Sequence, residues 1–145
     1  MADKESFTSK FMRTTGKVRM IFGPAQTSSL DHPMTEENQQ LLKEQQAQEK
    51  GIAYKAGRFP FTASGKATAA GERDGFVKLL FDEEERLIGA HMVGGSVTEM
   101  LCEPTLAKQL GVTAHQIART IHAHPSMNEA MMEAAEAALG CAVHL

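Results

Sequence analysis

The chain has 145 residues, of which 42% are hydrophobic and 23% charged, and its formal net charge at pH 7 is -3. A chain of this length usually forms one domain with a buried core, and it is too short to hold two nucleotide-binding domains. The small net charge gives no electrostatic reason to expect nucleic acid or an acidic membrane surface as a partner.

Residues 1–34 are predicted to form a poorly ordered N-terminal arm. Their apolar residues are scattered without a period of 2 or 3.6, and the stretch QTSSLDHP is typical of a loop. The first residues are too polar for a signal peptide, and no apolar run reaches the roughly 20 residues that span a bilayer. We therefore expect a cytoplasmic protein whose folded domain covers residues 35–145.

The folded domain is predicted to begin with a helix over residues 35–50. Thr35 suits the N-cap position, and Gly51 suits the position after the last turn. The apolar face of this helix is thin and its Gln and Glu content is high. A solvated, half-disordered stretch is therefore the alternative interpretation.

The middle of the chain has the alternation of β-strands. IAYKAGRFPF predicts an edge strand, because Pro60 has no N–H to donate to a neighbouring strand. Phe76–Phe81 and Leu87–Val93 are joined by an acidic turn, which predicts an antiparallel hairpin. The small and polar stretch TASGKATAAGERD before the hairpin is predicted to be a loop or a weak strand.

Helices are predicted from residue 96 to the end of the chain. Three pairs with capping-box spacing mark the helix starts: Ser96 with Glu99, Thr113 with Gln116, and Ser126 with Glu129. Pro104 lies within the first of these helices, where it removes a backbone hydrogen bond and predicts a kink or an early break. The last helix has a face of Met and Ala residues that allows another helix to approach closely, and Gly140 ends it. This order of elements predicts an α+β domain, an antiparallel sheet with helices packed on one face.

The octet HAHPSMNE, residues 122–129, is the first candidate site. If Ser126 is the N-cap, His124 lies just outside the helix, and Glu129 in the first turn can fold back toward it. Such a carboxylate fixes the tautomer of the imidazole and stabilises its protonated form, which suits proton transfer near neutral pH. The alternative is that Glu129 only completes the capping box and His124 is an exposed loop residue.

Zinc binding by His115, His122 and His124 is a weaker hypothesis. An HxH pair lacks the i, i+4 geometry of a helical zinc site, and no cysteine completes a ligand set, so no metal site is predicted. His91 and His144 are expected to be satisfied or exposed histidines without a catalytic role.

Two further features are weak signals. VGGSVTE is the one stretch that approaches a phosphate-binding turn, and it lacks the GxGxxG pattern. Cys102 and Cys141 form no CxxC pair, so two reduced thiols are expected. Cys102 lies far from any basic cluster, which favours a buried and inert thiol over a nucleophile.

Four stretches of the sequence carry a family resemblance: GRFPFTASGKA, DGFVKLLFDEEERLIGAHMVGG, IARTIHAHPSMNEAMMEAA and AALGCAVHL. They resemble the C-terminal dimerisation domain of the flavin-dependent pyridine nucleotide-disulfide oxidoreductases, and within that family most closely the dihydrolipoamide dehydrogenases. The resemblance runs from about residue 35 to residue 145. HAHPSMNE is its most specific stretch, because the His, the Pro and the Glu five residues after the His coincide with the acid/base dyad of that family.

The resemblance implies roles for three residues. It implies that His124 accepts and donates the proton in dithiol-disulfide chemistry and that Glu129 orients it. It further implies that His124 and Pro125 face the FAD and the redox disulfide of a partner subunit across a two-fold interface. The implied partner is a second copy of the chain or a flavoprotein reductase subunit.

The sequence departs from the family in its cofactor elements. It has no dinucleotide fingerprint, no CxxxxC redox pair and no NAD-binding domain, so neither FAD nor NAD nor enzymatic activity is expected in the isolated chain. AQTSSLDHPMTEEN stands where the first strand of the domain is expected, and residues 1–33 resemble no part of the family.

Two functions remain open. The first is an interface domain that supplies His124 and Glu129 to a dihydrolipoamide dehydrogenase-like flavoprotein. The second is a non-enzymatic homodimerisation or partner-binding module that kept the fold of that domain.

Overall fold

The computed structural model describes residues 44–144 of the chain. The arm at residues 1–34 and the helix start at Thr35 lie outside these residues, and both stay predictions. Helix α1 covers Glu44–Glu49, and the turn after it contains Gly51, whose φ of 64° is the left-handed conformation that glycine adopts readily. No helix within residues 44–144 combines the length and the hydropathy that crossing a bilayer requires.

Three strands form one antiparallel sheet in the order β1-β2-β3. Their bounds are Lys55–Pro60 for β1, Phe76–Phe81 for β2 and Leu87–Val93 for β3. The predicted hairpin is confirmed with both of its strand ranges. Within the described residues β1 is an edge strand, as Pro60 predicts, and Pro60 lies opposite Phe76.

The prediction of a loop or a weak strand between β1 and β2 is wrong. Phe61–Ala63 form one turn of 3-10 helix, and Gly65–Ala70 form helix α2. The Ser64 hydroxyl accepts a hydrogen bond from the Ala67 N–H at 3.2 Å, and Gly71 follows the helix with a φ of 70°. The segment is too short for a helical period, but the residues at its two ends are ordinary helix-terminus signals.

The early break predicted from Pro104 is present. Helices α3 (Val97–Met100) and α4 (Cys102–Gln109) are separated at Leu101, so Pro104 lies in the first turn of α4. A missing N–H costs no helical hydrogen bond at that position. The capping box predicted at Ser96 is wrong, because Ser96 has a φ of 59° and its side chain makes no cap hydrogen bond.

The capping box at Thr113 is confirmed at the start of helix α5 (Ala114–Arg119). The Thr113 N–H donates to Gln116 Oε1 at 2.8 Å, and the Gln116 N–H donates to Thr113 Oγ1 at 3.3 Å. Each residue thereby satisfies a backbone donor that the helix itself leaves unpaired.

The last helix, α6, covers Glu129–Leu139 and is followed by Gly140 with a φ of 75°. Of the capping box predicted here, one half forms: the Ser126 N–H donates to Glu129 Oε2 at 2.9 Å. The Ser126 hydroxyl is buried and has no hydrogen-bond partner in the described part of the chain. The helix therefore begins at Glu129, two residues later than a Ser126 cap would place it.

The α+β class is confirmed. Helices α4, α5 and α6 enclose the core with the inner face of the sheet, whose largest buried side chains include Val77, Leu79 and Met92. Alternate residues of β2 point to the opposite face, where Lys78 forms an ion pair with Glu44 of α1 at 2.5 Å.

Helix α6 approaches strand β1 more closely than a side chain on the strand would allow. A Cβ atom built on Gly57 would collide with the carbonyl oxygen of Ala134 and would lie 2.5 Å from the backbone nitrogen of Ala138. The sequence predicts a helix against this Ala-lined face, and the structure places strand β1 there beside helix α5. The contact thus brings Gly57 of the strand, which has no side chain, against Ala134 and Ala138 of the helix.

We expect Gly57→Ala to lower the free energy of unfolding by about 2–3 kcal/mol, because the obstructing atoms are backbone and no rotamer change relieves the overlap. Urea denaturation of the 145-residue chain measures this change. Gly65→Ala is the matched control, since a Cβ at Gly65 meets nothing within 4 Å and the position is helical. Equal unfolding midpoints for the two variants would contradict the prediction.

Candidate functional site

The candidate site lies on the segment of residues 120–128, which joins α5 to α6. This segment has no regular secondary structure, and its His124–Pro125 peptide bond is cis. His124 and Pro125 are both exposed, while Met127 at the end of the segment is buried in the core. The histidine therefore stands at the surface on a short connection between two packed helices.

The structure brings His124 and Glu129 together, as the octet HAHPSMNE predicts. His124 Nδ1 lies 2.8 Å from Glu129 Oε1, and the second oxygen of the same carboxylate accepts the Ser126 N–H at 2.9 Å. The His124 side chain is 81% exposed and that of Glu129 27%. The Glu129 carboxylate therefore contacts both the imidazole of His124 and the backbone at the start of α6.

The charge state of Glu129 follows from its surroundings. Burial acts to raise the pKa of Glu129, but the hydrogen bonds from His124 and from the Ser126 N–H outweigh it and leave this pKa below the ordinary value of 4.5. The carboxylate is therefore ionised at neutral pH. It accepts the Nδ1–H of His124, and in the neutral imidazole this places the lone pair on Nε2.

His122 is held by a different carboxylate. Its Nε2 lies 2.8 Å from Glu103 Oε1 on α4, and its side chain is only 5% exposed. The hydrogen bond with Glu103 is the main cause that raises the pKa of His122 above 6.5, and burial opposes it. Two histidines of one octet thus have opposite exposure and separate acidic partners.

The structure does not bring the proposed zinc ligands together. His115 lies 3.3 Å from Glu85, so His115, His122 and His124 each have their own carboxylate. No group of three or more His, Cys, Asp or Glu residues suited to a metal ion occurs among residues 44–144. Of the other histidines within residues 44–144, His91 packs edge-on against Phe76, and His144 pairs with Glu133.

The weak phosphate-binding signal at VGGSVTE finds no support. The carboxylate of Glu72 occupies the space beside Gly95, where a Cβ atom would otherwise lie. A negative charge at this position repels a phosphate, and helix α3 behind it has only four residues. The residues of this turn therefore do not fit a dinucleotide.

The prediction that the Cys102 thiol is buried is wrong, because the thiol is exposed. The buried residues of α4 are Pro104 and Ala107, and Cys102 lies on the other side of the helix. Because the helix breaks at Leu101, the helical period of α3 does not continue into α4. The sequence before the break therefore does not predict which face of α4 carries Cys102. Cys141 is also a free and exposed thiol.

Glu103 is the residue that sequence reasoning missed. It stands 19 positions before His122, and no local spacing connects the two. Its place beside Cys102 and before Pro104 gives no signal of an ionic partner. Only the packing of α4 against the segment of residues 120–128 reveals the pair.

The comparisons with known proteins agree with this fold. The family described as "Pyridine nucleotide-disulphide oxidoreductase, dimerisation domain" matches residues 42–135. The chain belongs to this family, which confirms the resemblance drawn from the sequence.

Dihydrolipoyl dehydrogenases are among the curated relatives of the chain. The chain is 48% identical over 103 residues to that of Geobacillus stearothermophilus and 49% identical over 104 residues to that of Zymomonas mobilis. These alignments cover 70% and 71% of this chain and 22% of each relative. The chain thus spans about a fifth of the length of the curated relatives that it matches.

Solved structures show the same fold at lower identity. LpdA from Mycobacterium tuberculosis is 23% identical with a TM-score of 0.62, and the match covers 66% of this chain and 21% of that one. The HOCl-induced flavoprotein disulfide reductase RclA from Escherichia coli is 24% identical with a TM-score of 0.62, covering 66% and 22%.

The His122–Glu103 pair predicts a pH dependence of stability. A histidine whose pKa is raised on folding contributes stability that is complete below its unfolded pKa of about 6.5 and is lost as the pH rises through its folded pKa. We therefore expect the free energy of unfolding to fall between about pH 6 and about pH 9, and His122→Gln to reduce this fall. Urea denaturation at the two pH values measures it.

His144 provides the control for this experiment. The hydrogen bond with Glu133 raises the pKa of His144, so His144 contributes a change of the same sign. Comparing His122→Gln in a His144→Gln background separates the two histidines. An unchanged pH dependence in that background would contradict the prediction for His122.

Proposed function

We propose that this chain acts as the dimerisation domain of a dihydrolipoamide dehydrogenase-like flavoprotein disulfide oxidoreductase and supplies His124 and Glu129 as its acid/base dyad. The observation that carries the proposal is the 2.8 Å contact between His124 Nδ1 and Glu129 Oε1 on a histidine that is 81% exposed. An imidazole oriented from one side and open on the other suits proton exchange with a group outside this chain.

The proton chemistry follows from this orientation. Neutral His124 donates its Nδ1–H to the ionised Glu129, and its Nε2 lone pair takes the proton of a thiol. The thiol becomes a thiolate, which is the nucleophile in thiol-disulfide exchange, and Glu129 stabilises the imidazolium that forms. In the reverse direction His124 returns the proton from Nε2 to a thiolate. The dyad thus changes the reactivity of a sulfur without taking part in electron transfer.

The residues of this chain fit a flavin that another chain holds. FAD and NAD would supply the electron transfer when bound. His124 and Pro125 are exposed side by side and available to a facing subunit, whereas the Gly95 turn is filled by the Glu72 carboxylate. In this proposal His124 and Pro125 contact the partner's cofactor, and no described residue holds the cofactor within this chain.

The proposed activity predicts a complementation. A dihydrolipoyl dehydrogenase from which the C-terminal domain has been removed is mixed with the 145-residue chain, and lipoamide-dependent reduction of NAD is measured. We expect recovered activity with the wild-type chain and a loss of about 100- to 10,000-fold with His124→Gln, because the general acid and base is then missing. Glu129→Gln should lose less, since the imidazole itself remains.

His115→Gln is the matched control, because His115 is an exposed histidine of α5 that lies outside the dyad. It should complement like the wild-type chain. Activity that survives His124→Gln would refute the dyad. If the wild-type chain restores no activity while it still assembles, the non-enzymatic homodimerisation or partner-binding module becomes the better description.

Homodimerisation is the second expectation of this proposal. Four large apolar side chains are exposed on the described surface: Leu106, Leu110, Ile121 and Val143. Exposed apolar residues of this kind form the cores of protein interfaces. Sedimentation equilibrium at micromolar concentration should give twice the mass of one chain. Leu110→Glu should weaken the dimer without unfolding the chain, and a wild-type monomer would contradict dimerisation.

A further inference from the structure

Residues 121–125 have one side chain that points inward. Ile121, Ala123, His124 and Pro125 are exposed, and Ile121 is 97% exposed, whereas the side chain of His122 is only 5% exposed. Apolar packing therefore gives the stretch that carries His124 little support. His122 is its point of attachment to the rest of the domain.

The backbone hydrogen bonds near this stretch lie at its two ends and not within it. At its beginning, the Thr120 N–H donates to the Ile117 carbonyl within the last turn of α5. At its end, the Ser126 N–H donates to Glu129. Among the described residues, no backbone-to-backbone hydrogen bond involves residues 121–125. The side-chain contacts that join this stretch to a helix are those from His122 to Glu103 and from His124 to Glu129.

These two contacts start from different elements. Glu129 is the first residue of α6 and reaches the exposed ring of His124 directly, while Glu103 lies in the first turn of α4 and reaches the buried ring of His122. Glu129 orients the imidazole of His124 but does not fix the backbone on the N-terminal side of that residue. The contact with α4 restrains this side, two residues away.

We propose that Glu103 and His122 are positioning residues that hold the backbone of His124 in place for the dyad. The pair forms a tether between α4 and the segment of residues 120–128, and His124 follows it after one intervening residue. This inference rests on the proposed function, since the tether positions the histidine of the proposed dyad. It adds a second carboxylate, distant in sequence, to the two residues of the dyad.

Histidine NMR on the 145-residue chain tests the tether without any enzyme partner. Long-range ¹⁵N spectra give the tautomer of His124, and the heteronuclear NOE of the Ala123 amide reports the order of the backbone. In Glu103→Ala we expect the Nδ1–H tautomer of His124 to decline and the Ala123 NOE to fall. Glu103→Gln keeps an acceptor oxygen for His122 and should restore both signals in part.

Glu99→Ala is the matched control, because Glu99 is an exposed carboxylate of the neighbouring helix α3. It removes the same charge and should leave both signals unchanged. If Glu103→Ala does not fold, His122→Phe combined with Glu103→Gln keeps the two side-chain volumes and removes the hydrogen bond. Folded variants that leave the His124 tautomer and the Ala123 NOE unchanged would overturn the proposal.

The complementation assay separates this inference from the function on which it rests. Where the wild-type chain restores activity, Glu103→Ala should lower kcat by about 10- to 100-fold and leave KM unchanged, because a displaced catalytic group affects the chemical step. Unchanged kcat in a folded Glu103→Ala chain would also overturn the proposal. Where the wild-type chain restores no activity, the proposed function fails. The NMR result then tests by itself whether Glu103 and His122 position His124.

Discussion

The close approach of α6 to β1 is the constraint on which the rest of this structure depends. The missing side chain at Gly57 lets the backbone at Ala134 and Ala138 lie against the strand, and this contact fixes both the height and the rotation of α6. Glu129 is the first residue of that helix. The position of its backbone therefore depends on the packing of α6 and not on the conformation of the preceding loop. A catalytic geometry is held more precisely by a packed helix than by a loop. The geometry of the candidate site therefore depends on packing in the core, at a distance from the exposed His124.

The carboxylate of Glu129 serves two purposes because it has two oxygens. One accepts the Ser126 N–H and closes the chain into α6, and the other accepts the Nδ1–H of His124. The two hydrogen bonds together hold the pKa of Glu129 below its ordinary value against the opposing effect of burial. The helix terminus and the proposed acid/base dyad thus share one side chain, and one sequence pattern, a Ser followed by a Glu three residues later, accompanies both.

Local rules predicted the features that depend on local contacts. The strand ranges, the Thr113 box and the break near Pro104 follow from alternation, cap spacing and the missing N–H of proline. Helix α2 and the partly buried Glu103–His122 pair did not follow, because the first is too short for a period and the second joins residues 19 positions apart. The exposed side of α4 was unpredictable for a related reason: once a helix breaks, its rotation depends on tertiary packing.

The partial burial of the Glu103–His122 pair, in which the side chain of Glu103 is 25% exposed, is itself an argument about its role. Removing an ion pair from water costs several kcal/mol for each ion, and an apolar pair of similar size often stabilises a fold as well or better. His122 is 5% exposed and is nevertheless a histidine on an otherwise exposed stretch, two residues before one that is 81% exposed. An apolar side chain at this position would bury as much surface but would allow the stretch to slide along α4, because dispersion contacts have little direction. A hydrogen bond between two fixed atoms defines one position for the chain. The proposed dyad requires such a defined position for the backbone of His124, two residues further on.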